Sequence, residues 1–141
     1  MMSRSDEGFA SMTDTAGLVH RIDVVEKGYE YLLAYAAQGR QDDAGSEVRR
    51  TLIDMRAALD GLDALIATAI NASEIAARDA SGFVVAAGED ARKAAGAIGL
   101  VLSRSSISSL LIDNLNASIH VRALLTDLFL IEQALKSPAA S

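Results

Sequence analysis

The sequence predicts an all-α fold, an antiparallel up-down-up-down four-helix bundle behind a flexible N-terminal tail. Three observations carry that expectation. Val48, Leu52, Met55, Leu59, Leu62, Ile66 and Ala69 recur at alternating spacings of four and three, the seam of a helix that lies against other helices. Hydrophobic residues make up 50% of the chain but aromatics only 4%, and Ala and Leu, which are plentiful, lose little side-chain entropy in a helix. The one proline, Pro138, stands beyond the last helical pattern, where it interrupts nothing.

Residues 1–14 are small and charged without a period and read as the flexible tail. Helix 1 is expected from about Thr15 to Gln38, with Leu18, Ile22, Val25, Tyr29, Leu32 and Ala36 on its seam and Asp14 or Thr15 as N-cap. The polar stretch 39–46 ends it and caps helix 2, expected over 46–70. Asn71 and Glu74 then have the spacing of a capping arrangement. Helix 3, over 73–102, has an inner face of small residues: Ala76, Ala80, Phe83, Ala87, Ala91, Ala94, Ile98 and Val101. Gly82, Gly88, Gly96 and Gly99 each lower its helix propensity by ~1 kcal/mol relative to Ala, so a close neighbour or a kink is expected at some of them. Ser105 is placed to cap helix 4, over 106–136, whose seam runs Ile107, Leu111, Asn114, Ser118, Val121, Leu125, Leu128 and Leu135. Leu110, Leu115, Ile119, Leu124, Leu130 and Ile131 widen that seam until the helix is apolar on most sides. Residues 15–136 thus make one domain, and 137–141 a free C-terminal end.

Composition excludes several functions. Without cysteine, the chain has no thiolate metal site, disulfide framework or thiol nucleophile. A net charge of −6 argues against sequence-independent nucleic-acid binding, which needs a positive surface. Glycines, serines and charges break every apolar stretch short of a membrane span. Residues 1–14 hold no apolar core of signal-peptide length, and a cytoplasmic location is expected. Residues 1–47 carry 4 Lys/Arg against 9 Asp/Glu, while residues 95–141 carry only six charged side chains.

No motif for catalysis or for a cofactor is present. His20 and His120 are the two histidines, and Asp23 lies one turn from His20. Helical His and carboxylates at such spacing can hold a metal inside a bundle, but a carboxylate-bridged dimetal centre needs two Glu-x-x-His pairs, which this chain lacks. Both histidines lie opposite the apolar seams, as on a solvated face. An exposed histidine also suits phosphotransfer, although no Lys-Gly pair follows either one closely. The serines at 103, 105, 106, 108 and 109 have no base beside them and read as helix-start chemistry.

The expected function is that of a non-enzymatic interaction protein, an adaptor, chaperone or regulatory subunit, with no cofactor. The alternatives are a metal- or cofactor-binding bundle using His20, Asp23 and His120, and a histidine phosphotransfer bundle. A protein partner and self-association as a dimer are expected through apolar helix faces, with Asn114, Ser118, Leu110, Leu124, Phe129, Ile131, Tyr31 and Tyr35 as interface candidates. Asn114 and Ser118 stand out as polar residues on an apolar seam, where one buried amide can fix register between copies; a place at the rim is the other reading. In size and layout the chain is similar to bacterial secretion and flagellar chaperones, a likeness without a shared motif that transfers no residues.

Overall fold

The computed structural model describes residues 4–138, with side chains from residue 15 onward. Among these residues the chain is helical between its connections and has no strand. The helices are α1 (Arg4–Ala36), α2 (Val48–Leu59), α3 (Leu62–Asn71), α4 (Ala77–Leu102), α5 (Ser109–Ala117) and α6 (His120–Lys136). Six helices stand where four were expected, because α2 and α3 divide the second expected helix and α5 and α6 divide the fourth. α1 and α4 are unbroken, and each packs on α2, α3, α5 and α6.

α1 is helical from Arg4, so Asp14 and Thr15 lie inside a helix instead of capping one. Of the expected tail, residues 1–3 lie outside the described residues, as do 139–141 of the expected free end. Two other expected caps are also replaced. α5 is capped by Ser108, whose hydroxyl accepts from the Leu111 N–H at 3.0 Å, and not by Ser105. α4 starts after Ala76 without a side-chain cap, and Asn71 is the last residue of α3.

The break between α2 and α3 lies at Asp60 and Gly61, with Gly61 in the left-handed region at φ 65°. Carbonyl oxygens freed there find a donor on α1. The Arg21 guanidinium reaches the Ala58 oxygen at 3.4 Å and also donates to the Asp60 oxygen. All seven residues of the expected helix 2 seam remain buried across this break.

The break between α5 and α6 is different in kind. Ile119 takes φ 61°, among the described residues the one non-glycine with positive φ, although a β-branched side chain is crowded there. Its side chain is 60% exposed and contributes little packing in return. Relief of the left-handed penalty, roughly 1–2 kcal/mol, exceeds the extra unfolded-state freedom of glycine, roughly 0.5–1 kcal/mol. Ile119→Gly is therefore expected to raise stability by about 0.5–1 kcal/mol, read as a higher urea midpoint. A lower midpoint would show that the isoleucine packs more usefully than its exposure suggests.

This second break also changes the register of the expected helix 4 seam. In α5 the inward residues are Ile112 and Leu115, not Leu111 and Asn114, whereas Val121, Leu125 and Leu128 of α6 are buried as expected. Asn114 is exposed and its amide donates to the Leu110 oxygen at 2.9 Å. Ser118 is half-buried and donates to the Leu115 oxygen at 2.6 Å. Neither is a buried polar group of the seam.

The inner face expected of α4 is buried at Ala80, Ala87, Ala91, Ala94, Ile98 and Val101, whereas Phe83 is half-buried and Ala76, just before the helix, is exposed. Only one of its glycines is held by a close neighbour. A Cβ on Gly88 would come within 2.9 Å of the Asp63 carboxylate, whereas nothing lies within 4 Å of Gly82 or Gly96. α4 runs through all of them without a break.

A polar latch closes the end of the molecule where α1 stops. Ser109, 3% exposed, donates to the Tyr35 oxygen at 2.7 Å and accepts from the Arg40 N–H at 2.8 Å. It thereby caps α1 from a different helix. Tyr35, fully buried, donates its hydroxyl to the Ile107 oxygen at 2.5 Å. Burial pushes this phenol above its ordinary value, so it stays a donor. The Asp43 carboxylate accepts from the Ile107 N–H at 2.9 Å and from Arg49 at 3.1 Å. Arg49 in turn donates to the Leu102 and Arg104 oxygens at 3.2 and 2.9 Å, closing the C-terminal end of α4. Nearly every donor here answers a backbone group that a helix end leaves open.

Candidate functional site

The opposite end is open. A cleft of about 590 Å³ lies between the Thr15–Ile22 part of α1, the end of α3 with its link to α4, and the last turn of α6. Its floor is apolar and buried, built from Leu18, Ile22 and Ala69. Ile75 and Leu135 are half-buried at its sides, and Val19 is 41% exposed. Local chemistry positions the Ile75 wall. The Ser73 hydroxyl donates to the Ile70 oxygen at 2.6 Å and accepts from the Ile75 N–H at 3.1 Å, turning the chain sharply after α3.

Glu74, Asp79 and Glu132 line the rim, and among the described residues Lys136 is its one cation. The backbone adds to this imbalance. α3 and α6 both end at the cleft, bringing two partially negative helix C-termini against the single N-terminus of α4. The arrangement suits an apolar body carried by a positively charged segment.

The interface candidates read from the sequence fall into three groups. Tyr35, Leu124 and Ile131 are 0%, 0% and 4% exposed, so their side chains are taken up in the chain's own core. Tyr31 is half-buried, stacks on Tyr35 with ring centroids 6.2 Å apart, and accepts the Glu47 N–H at 3.1 Å. It belongs to the latch end. Leu110, at 69%, and Phe129, at 39%, are exposed together with Asn114, while Ser118 is half-buried beside the α5–α6 break.

The histidines are not brought together. His20 is exposed, and its neighbour Asp23 pairs with Lys27 at 3.0 Å. His120 begins α6 half-buried. Asn116, four residues before His120, reaches the Leu32 oxygen, which is twelve residues or about 18 Å along α1 from His20. Among the described residues no group of three or more His, Asp or Glu side chains is placed to hold a metal ion, and no helix is long and apolar enough to cross a membrane.

Sequence reasoning missed the cleft. Leu18, Ile22, Ala69 and Leu135 were legible as seam residues, but the links and helix ends that open the seam into a cleft carry no period, and Glu74 was read as part of a cap and not as a rim residue. No family model, curated protein or solved structure matches this chain.

Proposed function

We propose that the chain is an up-down-up-down bundle of four antiparallel rods, two of them broken, that acts as a non-enzymatic interaction protein. Its partner is an amphipathic helical or extended segment with apolar side chains flanked by Lys or Arg, seated in the open-end cleft. The observation that carries this reading is the joining of an apolar floor to a rim with, among the described residues, three carboxylates and one cation. Burial of the partner's apolar side chains supplies affinity, and the charge imbalance favours a cationic segment over an acidic one. The closed end supports the same division of labour, because its polar groups are engaged with backbone and leave little to offer a ligand.

Titration with a Leu/Lys amphipathic peptide and a Leu/Glu peptide of equal length tests the reading. The expected result is amide shift changes at Leu18, Ile22, Ile75 and Leu135 with the first peptide only. Leu135→Asp should weaken that binding at least roughly tenfold, about 1.4 kcal/mol, with helix content unchanged by circular dichroism. Equal binding of both peptides, or shifts confined to other surfaces, would remove the cleft as the site.

A further inference from the structure

α5 and α6 meet at one strained residue, in a stretch of sequence that holds none of the usual causes of a turn. Residues 114–121 contain neither glycine nor proline, yet Ile119 is left-handed at φ 61° with its side chain 60% exposed. α6 then begins without a side-chain cap. The two helices have little contact with each other, because α5 packs chiefly on α1 and α6 chiefly on α4. The turn at Ile119 is therefore the main link between them.

The buried side chains explain the turn and point to its alternative. α5 buries Ser109, Ile112 and Leu115, and α6 buries Val121, Leu124, Leu125, Leu128 and Ile131. On one continuous helix these two faces would point roughly 150–160° apart. A straight helix cannot lay both on one core, so within a single copy the chain must turn between them. It can lay one face on each of two cores. We propose that Ile119 is the hinge of an exchange between two copies of this chain, in which α5 and α6 fuse into one straight helix and each α6 packs on α4 and α1 of the other copy. In the exchanged pair every buried face keeps the surroundings it has in the single copy, while two left-handed isoleucines become helical. The N–H groups that open α6 also gain the carbonyls that end α5 as intrahelical partners. Short hinges under strain favour exchange in this way. The last turn of α6 lines the open-end cleft, so each cleft of the pair takes that wall from the other copy. The inference rests on the hinge and not on what the cleft binds.

Refolding the full chain from urea at millimolar concentration, then diluting it, tests the proposal by light scattering and by NMR on an equal mixture of differently isotope-labelled chains. The expected result is a dimer that persists on dilution, because separation requires α6 to leave its core. Nuclear Overhauser contacts should run from α4 of one copy to α6 of the other. Ile119→Gly accepts the left-handed turn and disfavours the continuous helix, and should raise the dimer dissociation constant at least roughly tenfold. Ile119→Asn, which also tolerates the turn, should shift it in the same direction. A chain that stays monomeric through this cycle would overturn the proposal. So would a dimer whose α4–α6 contacts all lie within one copy, since that is association through outer faces. A dissociation constant unmoved in both variants would equally remove Ile119 as the hinge.

Discussion

Tyr35→Ala is expected to destabilise the protein by about 3–5 kcal/mol, the range for removing a buried aromatic side chain. The ring is fully buried, so its loss leaves a cavity that the surrounding helices can fill only in part. The hydroxyl adds a second loss, because the Ile107 oxygen it serves lies 72 positions along the chain and has that donor at 2.5 Å. Tyr35→Phe separates the two contributions and is expected to cost about 1–2 kcal/mol. Urea unfolding reads both variants. Against a total of roughly 7–15 kcal/mol for a domain of this size, the alanine variant stands near the edge of folding. A cost for Tyr35→Ala no greater than that for Tyr35→Phe would mean that the ring's place is filled by its neighbours and that the latch is only a hydrogen bond.

Asp43→Ala is the second large effect, at about 2–3 kcal/mol. It strands the Ile107 N–H and frees Arg49, which then holds the α4 carbonyls without its own anchor. Its pH dependence carries a definite sign. The Ile107 N–H first, and the Arg49 guanidinium after it, hold the Asp43 carboxyl below its ordinary value. A group lowered in this way contributes stability above the unfolded value near 4 and loses it as pH falls through the lower folded value. Stability of Asp43→Asn relative to wild type should therefore be poorest at neutral pH, with the gap closing below about pH 4. A gap constant from pH 2 to 7 would show that the charge of Asp43 contributes nothing beyond its shape.

What the sequence made legible was the inward face of each helix, and what it hid was where the helices stop. The seven seam residues from Val48 to Ala69 are all buried, although the helix under them breaks at Gly61. Periodicity reports which side chains face the core, and that survives a turn whose freed carbonyls are taken by Arg21. At Ile119 the same method failed. Nothing about an isoleucine announces a left-handed residue, so the register before it was carried one position astray, and Asn114 was assigned to a seam it does not join. The latch was beyond reach for another reason. Ser109 meets Tyr35 across 74 positions and Asp43 meets Ile107 across 64, and neither pair leaves a trace in local pattern.

The latch also bears on how long the molecule stays folded once it has formed. Its bonds from Tyr35 on the first helix span 72 and 74 positions, whereas the contact of Arg21 with Ala58 spans 37. Closing the longer loop costs more chain entropy, so docking of α5 onto α1 is expected late in assembly, after α1 and α2 have paired. Interactions made after the transition state leave the folding rate alone and set the unfolding rate. The closed end is thus expected to act as a kinetic bolt, governing the lifetime of the native state more than the speed of reaching it. The Tyr35 variants would display this as faster unfolding at nearly unchanged refolding.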